Sequence, residues 1–301
     1  MPAEPCILNP AAQRIASLAC WHGKPELTPL QGGLSTTSFK VRDAAGQHVA
    51  RLGADVPAHH VFRTREAAAS RAAAQAGLSP KVSWTEADVL VLDFIEGRTF
   101  TEVDMRGHVE AIAGLLAKTH RDVAAHLRGP ANAFWVFHII RDYAAALAES
   151  GRHPQAETQG WAELASRLEA RQMALPIVFG HHDLLPGNIL DDGARLWLID
   201  WEYAGFGTGL FDLANVAANG SYGDKEEELL LTAYFGKPPS GALMESFDAM
   251  KVASALREAT WAMISAIHLA VPGADYEAHA AEYLSRTAAT LQRFTERHGK
   301  P

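Results

Sequence analysis

The spacing of apolar residues changes at Gly97, and this change constrains the fold more than any other feature. Before Gly97, apolar residues alternate with polar ones or form short runs such as "VLVLDF" (89–94), as in β-strands. Beyond Gly97, most apolar residues recur every three or four positions, as in amphipathic helices. We therefore predict an α+β protein with two lobes, a small β-rich lobe at 1–96 and a larger, mostly helical lobe at 97–301.

The predicted elements follow this division. After a short helix the first part reads β-β-α-β, and the helix before the last strand ends at Gly77, a C-terminal cap with Pro80 just beyond. The predicted elements of the first part are a helix at 11–21, strands around 39–41 and at 48–52, a helix at 63–77 and a strand at 88–97. The predicted helices of the second part are 109–123, 137–150, 160–173, 226–235, 243–270 and 275–297.

The composition argues against several classes of protein. A formal net charge of −8 over 301 residues does not suit a surface for nucleic acids or anionic membranes, which needs clustered lysines and arginines. Cys6 and Cys20 are too few for a disulfide framework and lack metal-ligand spacing. We find neither a secretory leader nor a membrane-spanning run, and we expect a cytoplasmic protein that is monomeric or homodimeric. The acidic balance is compatible with a small cationic substrate.

A predicted hairpin interrupts the helical part and carries oxygen-bearing side chains. Asp192-Gly193 is a turn signal between "NIL" and "RLWLID", so the hairpin brings Asn188 close to Asp200, and Asp183 lies on the preceding loop. Carboxylate and amide oxygens suit a Mg²⁺ ion that holds phosphates, and a separate aspartate can accept a hydroxyl proton. Asp183 and Asn188, each taken alone, also fit a turn cap. A zinc site would need further ligands at recognisable spacing, and none is evident.

The hairpin and its surroundings resemble a known family. "HHDLLPGNIL" followed by "LIDWEYAG" and "FDLAN" is similar to the choline and ethanolamine kinases and the aminoglycoside phosphotransferases, small-molecule relatives of the protein kinases. The resemblance implies that Asp183 takes the proton of the acceptor hydroxyl, while Asn188 and Asp200 hold Mg²⁺. It also implies that His181 supports the loop through main-chain hydrogen bonds and that Asp212 braces it.

The resemblance extends to the N-terminal part and implies ATP as the phosphate donor. "QGGLSTTSFKV" is similar to the nucleotide loop of the family, and Arg51 stands where protein kinases carry a lysine for the α- and β-phosphates. Glu66 would pair with Arg51, although a solvated glutamate is also common in the first turn of a helix. Main-chain groups near Asp93 and Ile95 would meet the adenine edge. The implied nucleotide contacts are Gly32, Gly33, Ser35, Arg51, Glu66, Asp93 and Ile95.

The resemblance implies a small hydroxyl compound as acceptor, and a choline-like amino alcohol above others. Trp-Glu-Tyr at 201–203 and "LREATWAMISAIH" (256–268) resemble choline kinases, in which aromatic faces and carboxylates hold a quaternary ammonium. The implied substrate residues are Asp183, Glu202, Tyr203 and Trp261, with Trp135 and Tyr143 as outer possibilities.

One departure from the family pattern, together with acidic residues near the C-terminus, keeps other acceptors open. Choline kinases of this type often carry a second tryptophan where this chain has Ile264, which leaves ethanolamine, thiamine or another amino alcohol or sugar as candidates. An aminoglycoside would need acidic contacts near the C-terminus, for which Asp275, Glu277 and Glu282 are available, but on a helix they fit a solvated face equally well. A non-catalytic nucleotide-binding relative is the alternative from a different class.

Overall fold

A computed structural model of the protein describes residues 10–30, 36–269, 271 and 273–301. The elements of the first part are α1 (Pro10–Ala16), β1 (Glu26–Leu30), β2 (Thr37–Arg42), β3 (Gln47–Leu52), α2 (Arg63–Gln75), β4 (Val82–Glu86) and β5 (Val89–Asp93). The five strands form one antiparallel sheet in the order β1-β2-β3-β5-β4.

The two faces of this sheet follow the alternation of side chains along β5. Val89 and Val91 are buried in one cluster with Phe39 of β2 and Ile15 of α1. Leu90 and Leu92 point the opposite way and pack in a second cluster against the α2 side. An apolar run without polar positions is therefore explained by helices that cover both faces of the strand.

The sequence missed two strands of the sheet because both are edge strands. β1 and β4 are largely exposed, so they lack the alternation that reveals a half-buried strand. The predicted order β-β-α-β is wrong, and the structure has β-β-β-α-β-β. Helix α1 ends at Ala16 instead of residue 21. The predicted cap is confirmed, because Gly77, just beyond the end of α2, has a φ of 71°.

The rest of the described chain is mostly helical. Its strands are β6 (Arg98–Thr99), β7 (Ile177–Gly180), β8 (Ile189–Asp191), β9 (Leu196–Leu198) and β10 (Gly205–Thr208). Its helices are α3 (Glu102–Gly107), α4 (Val109–His126), α5 (Val136–Ser150), α6 (Gln155–Glu169), α7 (Gly209–Asn219), α8 (Asp224–Phe235), α9 (Gly241–His268) and α10 (Tyr276–His298). The sequence missed α3 and α7, and α6 begins five residues before its predicted start. No helix that the structure describes is long and apolar enough to cross a membrane.

Helix α9 forms the centre of the helical part. It is buried over most of its length and packs against α5, α6, α7 and α10. A helix that is apolar on nearly all sides must be covered on nearly all sides, which explains its central position. Its few buried charged residues are therefore unusual, and one of them, Arg257, lies at the candidate site.

The predicted hairpin is present, with a longer turn than expected. β8 pairs with β9, and Ile189 lies opposite Leu198. The turn spans residues 192–195, closed by a hydrogen bond from the Asp192 N–H to the Arg195 carbonyl at 3.3 Å. At the predicted lobe boundary, β6 pairs with β8 beside Gly97, where a Cβ atom would lie only 2.5 Å from the Asp191 carbonyl oxygen. Only glycine fits at this close approach.

Candidate active site

The loop between β7 and β8, residues 181–188, is anchored by Asp212 of α7. The buried carboxylate of Asp212 accepts hydrogen bonds from the N–H groups of His181 at 2.8 Å and His182 at 2.7 Å. The Nε2 atom of His120 lies 2.9 Å from the same carboxylate. Burial alone would raise the pKa of Asp212, but the neighbouring His182 and His120 hold it below its usual range. The predicted bracing role of Asp212 is confirmed.

The two histidines of the loop are structural supports. His181 is fully buried, its Nε2 atom lies 2.9 Å from the Ile199 carbonyl oxygen, and its Nδ1 atom accepts the N–H of Asp183 at 3.3 Å. His182 stacks on Phe134 with 4.2 Å between ring centroids. Burial lowers the pKa of His182 to about 4, so its ring is neutral at pH 7. Main-chain support by His181 was predicted from the sequence and is confirmed.

The structure brings Asp183, Asn188 and Asp200 to one end of the hairpin. Asn188 Nδ2 donates to the carbonyl oxygen of Asp183 at 2.8 Å, and the N–H of Ile199 donates to the carbonyl of Asn188 at 3.0 Å. Asn188 therefore lies beside the chain that leads into Asp200. Asp200 has a φ of 68°, in the left-handed region that few non-glycine residues adopt.

The donor atoms of these residues fit Mg²⁺. Because Asn188 donates through its amide nitrogen, its amide oxygen is the atom that can coordinate a cation, beside the carboxylate of Asp200. Such hard oxygen atoms are the ligands that Mg²⁺ prefers, and two protein ligands suffice when phosphate oxygens complete the shell. Among the described residues, no group of three or more His, Cys, Asp or Glu side chains is arranged to hold a metal ion.

A network of arginines and carboxylates links the sheet to the hairpin. Arg51 Nη1 lies 2.8 Å from Glu66 Oε1, and Arg51 Nη2 donates to Asp200 Oδ1 at 2.7 Å. The predicted ion pair between Arg51 and Glu66 is therefore confirmed. Arg63 Nη1 donates to Glu66 Oε2 at 2.6 Å and to Glu202 Oε2 at 2.9 Å. These five residues form what we call the phosphate-side cluster.

Two members of the phosphate-side cluster differ from the expectation. Sequence reasoning missed Arg63, although it lies three residues before Glu66 and hence on the same face of α2. Glu202, predicted as a substrate contact, is buried and bonded to Arg63. Burial, and then the carboxylates of Asp200 and Glu66, raise the pKa of Glu202. Its carboxylate is therefore engaged on the phosphate side of the hairpin.

The main chain at the predicted adenine contacts is partly engaged in hydrogen bonds within the protein. The N–H of Asp93 donates to the Lys81 carbonyl at 2.9 Å, and the N–H of Phe94 donates to the Gln47 carbonyl at 3.0 Å. These two N–H groups are therefore engaged within the protein, and the contact implied at Ile95 stays a prediction. The predicted loop contacts Gly32, Gly33 and Ser35 lie outside the described residues, as does Cys6.

A cavity of about 150 Å³ opens next to Tyr203, and we call it the Tyr203 cavity. Its volume accommodates a small molecule and not only a single water. The lining residues are polar or aromatic with few exceptions, and they are His59, His60, Asn132, Ala133, Phe134, His138, Ile139, Tyr143, Tyr203 and Arg257.

Of the other predicted substrate residues, Tyr143 lines the Tyr203 cavity, whereas Trp261 and Trp135 do not. Tyr143 lines the cavity, and its hydroxyl lies 3.1 Å from His59 Nδ1. Trp261 is buried behind Tyr203 and donates its Nε1–H to the Tyr203 hydroxyl at 2.8 Å. Trp135 does not line the cavity, and its Nε1–H donates to Glu169. Ile264 is fully buried.

Arg257 of α9 is a site residue that sequence reasoning missed. It is 2 % exposed, and its Nη1 atom lies 3.0 Å from Glu258 Oε2 and 3.6 Å from Asp183 Oδ1. Its guanidinium lies over the ring of Tyr203, with 4.4 Å between the Cζ atom and the ring centroid. The available signal was a lone arginine in a nearly continuous small and apolar helix, one turn before Trp261.

The geometry places a proton acceptor beside these charges. Partial burial, and then the carboxylates of Glu258, Asp200 and Glu202, raise the pKa of Asp183 well above its usual range, while Arg257 acts in the opposite direction. A base works best when its pKa lies near the working pH. The arrangement therefore suits proton removal from a hydroxyl next to a metal and phosphate site.

Comparison with known proteins decides the family. Residues 26–249 match the model of the phosphotransferase enzyme family, which covers more than half of the chain. The chain belongs to this family. A probable ethanolamine kinase from Arabidopsis thaliana is 29 % identical to this phosphotransferase over 272 residues, 79 % of this chain and 72 % of the relative. A thiamine kinase from Shigella boydii is 27 % identical over 194 residues, 63 % of this chain and 65 % of the relative.

A solved structure supports the same assignment. A choline/ethanolamine kinase family protein from Mesorhizobium loti superimposes with a TM-score of 0.75 at 26 % identity, over 95 % of this chain and 96 % of that one. The predicted protein-kinase-like fold is confirmed. The phosphotransferase is thus a kinase-type enzyme with choline and ethanolamine kinases among its relatives, and its family implies a nucleotide as co-substrate.

Proposed function

We propose that this phosphotransferase moves the γ-phosphoryl group of ATP, with Mg²⁺, to the hydroxyl of a small amino alcohol of the choline and ethanolamine type. The observation that supports this most is the convergence of Asp183, Asn188 and Asp200 at one end of the hairpin, with Arg51 bonded to Asp200. A proton acceptor, two hard metal ligands and a phosphate-binding cation are the parts that phosphoryl transfer requires.

Asp183 carries the acid–base part of the reaction. The acceptor hydroxyl oxygen forms a bond to the γ-phosphorus, the bond from that phosphorus to the bridging oxygen of ADP breaks, and the hydroxyl proton passes to Asp183. The raised pKa of this carboxyl suits it to take that proton near neutral pH. Asn188 fixes the loop of Asp183 through the 2.8 Å bond to its carbonyl.

The phosphate-side cluster orients the nucleotide. Asn188 and Asp200 hold Mg²⁺, which neutralises charge on the phosphate oxygens when it is bound. Arg51, held by Glu66 and Asp200, presents a permanent cation to the α- and β-phosphates. The main chain at Ile95 meets the adenine. The nucleotide then lies between the lobes at 1–96 and 97–301.

The names of the relatives support the acceptor class. The Arabidopsis relative is a probable ethanolamine kinase, and an aromatic cavity next to the proposed base suits a small alcohol with an amino group. Thiamine is a second candidate, because the relative from Shigella boydii is a thiamine kinase. Both compounds present a primary hydroxyl for phosphorylation.

The change Asp183→Asn tests the mechanism. The amide keeps the shape of the side chain and cannot take a proton, so we expect kcat to fall by roughly 10²- to 10⁴-fold. ADP release with ethanolamine, choline and thiamine measures the rate, and a thermal shift with ATP and Mg²⁺ measures nucleotide binding, which should persist. Asp192→Asn is the matched control, because Asp192 lies in the exposed turn of the same hairpin.

Two results would contradict the proposal. Full turnover by the Asp183→Asn variant would remove the proton-accepting role. A wild-type protein whose thermal shift with ATP does not depend on Mg²⁺ would indicate a non-catalytic nucleotide-binding relative instead.

A further inference from the structure

The guanidinium of Arg257 is only partly bonded within the protein. Its Nη1 atom is bonded to Glu258, but neither its Nε nor its Nη2 atom has a hydrogen-bond partner among the described residues. The side chain is 2 % exposed and lines the Tyr203 cavity, so an acceptor for these atoms can come from a molecule in that cavity. Buried donors without a partner are rare in folded proteins, and at a binding site they indicate a ligand that supplies the acceptor atoms.

The position of Arg257 ties such a ligand to the acceptor site. Arg257 lines the Tyr203 cavity, and its Nη1 atom lies 3.6 Å from Asp183 Oδ1. Its plane is fixed by contact with the Tyr203 ring at 4.4 Å. A compound whose acceptor atoms bind this guanidinium can therefore present a hydroxyl to Asp183 only a few bonds away.

The charges around the Tyr203 cavity favour an anion. No carboxylate is present among the described residues that line it, whereas Arg257 is a permanent cation there. The carboxylates near the cavity each lie beside a basic side chain. Asp183 and Glu258 lie 3.6 Å and 3.0 Å from Arg257 Nη1, Asp142 lies 2.9 Å from His60 Nε2, and Glu202 is bonded to Arg63. An ammonium group in this cavity would face aromatic rings but no lining carboxylate.

A larger cavity next to the loop of residues 181–188 also lacks an unpaired lining carboxylate among the described residues. It encloses about 260 Å³ between α7, α8, α9 and α10, and the Asn219 side chain at its wall donates to the Leu184 carbonyl at 3.2 Å. Glu227 is its one lining carboxylate among the described residues and is bonded to Lys251, which also lines the cavity. Neither cavity next to the loop therefore offers a lining carboxylate that is not already paired with a cation.

We propose that the acceptor of this phosphotransferase carries an anionic oxygen group, such as a carboxylate, close to its hydroxyl, and that Arg257 binds this group. The inference rests on the proposed function, because it assigns the acceptor of the same reaction. Within the amino alcohols it selects those that are also acids. Arg257 is then a specificity-determining residue that contacts the substrate.

Matched pairs of acceptors provide the test. L-serine differs from ethanolamine by one carboxylate, and L-homoserine differs from 3-amino-1-propanol in the same way. We expect kcat/KM from ADP release to be at least about tenfold higher for the carboxylated member of a pair, as a charge-assisted hydrogen bond supplies. Arg257→Met should raise KM for that member about tenfold or more relative to KM for the other member, whereas any effect of the lost charge on Asp183 should change kcat for both members alike.

Two further variants keep the result interpretable. Arg257→Lys retains the charge but not the planar donors, so it should give a smaller rise in KM even if Arg257→Met fails to fold. Arg141→Met is the control, because Arg141 of α5 is bonded to Glu169 and does not line the Tyr203 cavity. It should leave KM for every acceptor unchanged.

The outcomes separate this inference from the proposed function. A preference for ethanolamine over serine that Arg257→Lys does not alter would overturn the anionic acceptor and leave the kinase activity standing. An equal fall in kcat for both members of a pair, with KM unchanged, would also overturn it, because Arg257 would then act on the transferred phosphoryl group. Absence of ADP release with every acceptor, including thiamine, would remove the proposed function itself.

Discussion

Two buried arginines lie beside the two key aspartates of this phosphotransferase, and their surroundings differ. Arg51 bonds Asp200 and Glu66, carboxylates that come from the hairpin and from α2. Arg257 lies 3.6 Å from Asp183 and has two nitrogen atoms without a partner among the described residues. Both terminal nitrogens of Arg51 are thus paired with carboxylates, whereas only one terminal nitrogen of Arg257 is hydrogen-bonded.

This difference has a physical reason. A charge that contacts the same nucleotide in every catalytic cycle stabilises the reaction more when the protein fixes its position in advance. No reorganisation is then needed during the reaction. A charge that recognises one acceptor is more selective when it has no partner within the protein. Compounds without the matching group then leave it unpaired and bind more weakly. If both proposals hold, the contrast separates a general from a selective part of the site.

The largest effect is expected from Arg51→Met. The variant removes the cation that we propose binds the phosphates and leaves Glu66 and Asp200 without it, so KM for ATP should rise by about 10- to 100-fold. Steady-state kinetics at saturating acceptor measure the change. KM for the acceptor should stay constant, because Arg51 does not line the Tyr203 cavity.

Arg121→Met is the matched control for this variant. Arg121 is exposed and, among the described residues, bonded only to the adjacent Asp122, so its loss should not alter KM for ATP. An Arg51→Met enzyme whose acceptor KM rises while its ATP KM is unchanged would reverse the division between the two sides.

A pH effect on stability of intermediate size should originate from His59 on the acceptor side. Burial, and then the charge of Arg257, lower the pKa of His59 to about 3, whereas an unfolded histidine titrates near 6.5. Its contribution to stability is complete above pH 6.5 and is lost as the pH falls towards 3, because only the unfolded chain then binds the proton. Between pH 7 and pH 5 this amounts to about 2 kcal/mol.

Urea unfolding of the wild type and of His59→Gln measures this effect. The difference in unfolding free energy between pH 7 and pH 5 should be smaller in the variant, because its side chain does not titrate. An identical pH dependence in both proteins would show that His59 is not held neutral by its surroundings.

The smallest effect is expected from Gly193→Ala in the hairpin turn between the two sides. Gly193 has a φ of 84° and open space around it, so alanine adds only backbone strain of about 1 kcal/mol. Urea unfolding should show this loss with no change in KM for ATP or for the acceptor. Gly114→Ala, inside α4 and also in open space, should instead stabilise the protein.

A large kinetic effect of Gly193→Ala would indicate that the turn takes part in the site itself. The expected result is that the turn only connects β8 and β9, whose ends carry Asn188 and lead into Asp200.

Sequence reasoning worked where one local pattern or one motif carried the information. The buried strand β5, the alanine-rich helix α2 and the hairpin follow from apolar spacing and turn residues, which depend on neighbours in the chain. The edge strands β1 and β4 escaped, because pairing with a distant strand creates them and their exposed side chains show no pattern. The pair of Arg51 and Glu66 was within reach only because the family resemblance supplied the distant partner.

The convergence of Asp183, Asn188 and Asp200 could be predicted from the sequence itself, because all three lie in or next to a single hairpin. Only the tertiary structure decided what surrounds them. It turned Glu202 to Arg63, placed Trp261 behind Tyr203, and brought Arg257 from α9 to Asp183 across 74 positions of the chain. Contacts of this kind depend on how helices pack, and helix packing leaves no local trace in the order of residues.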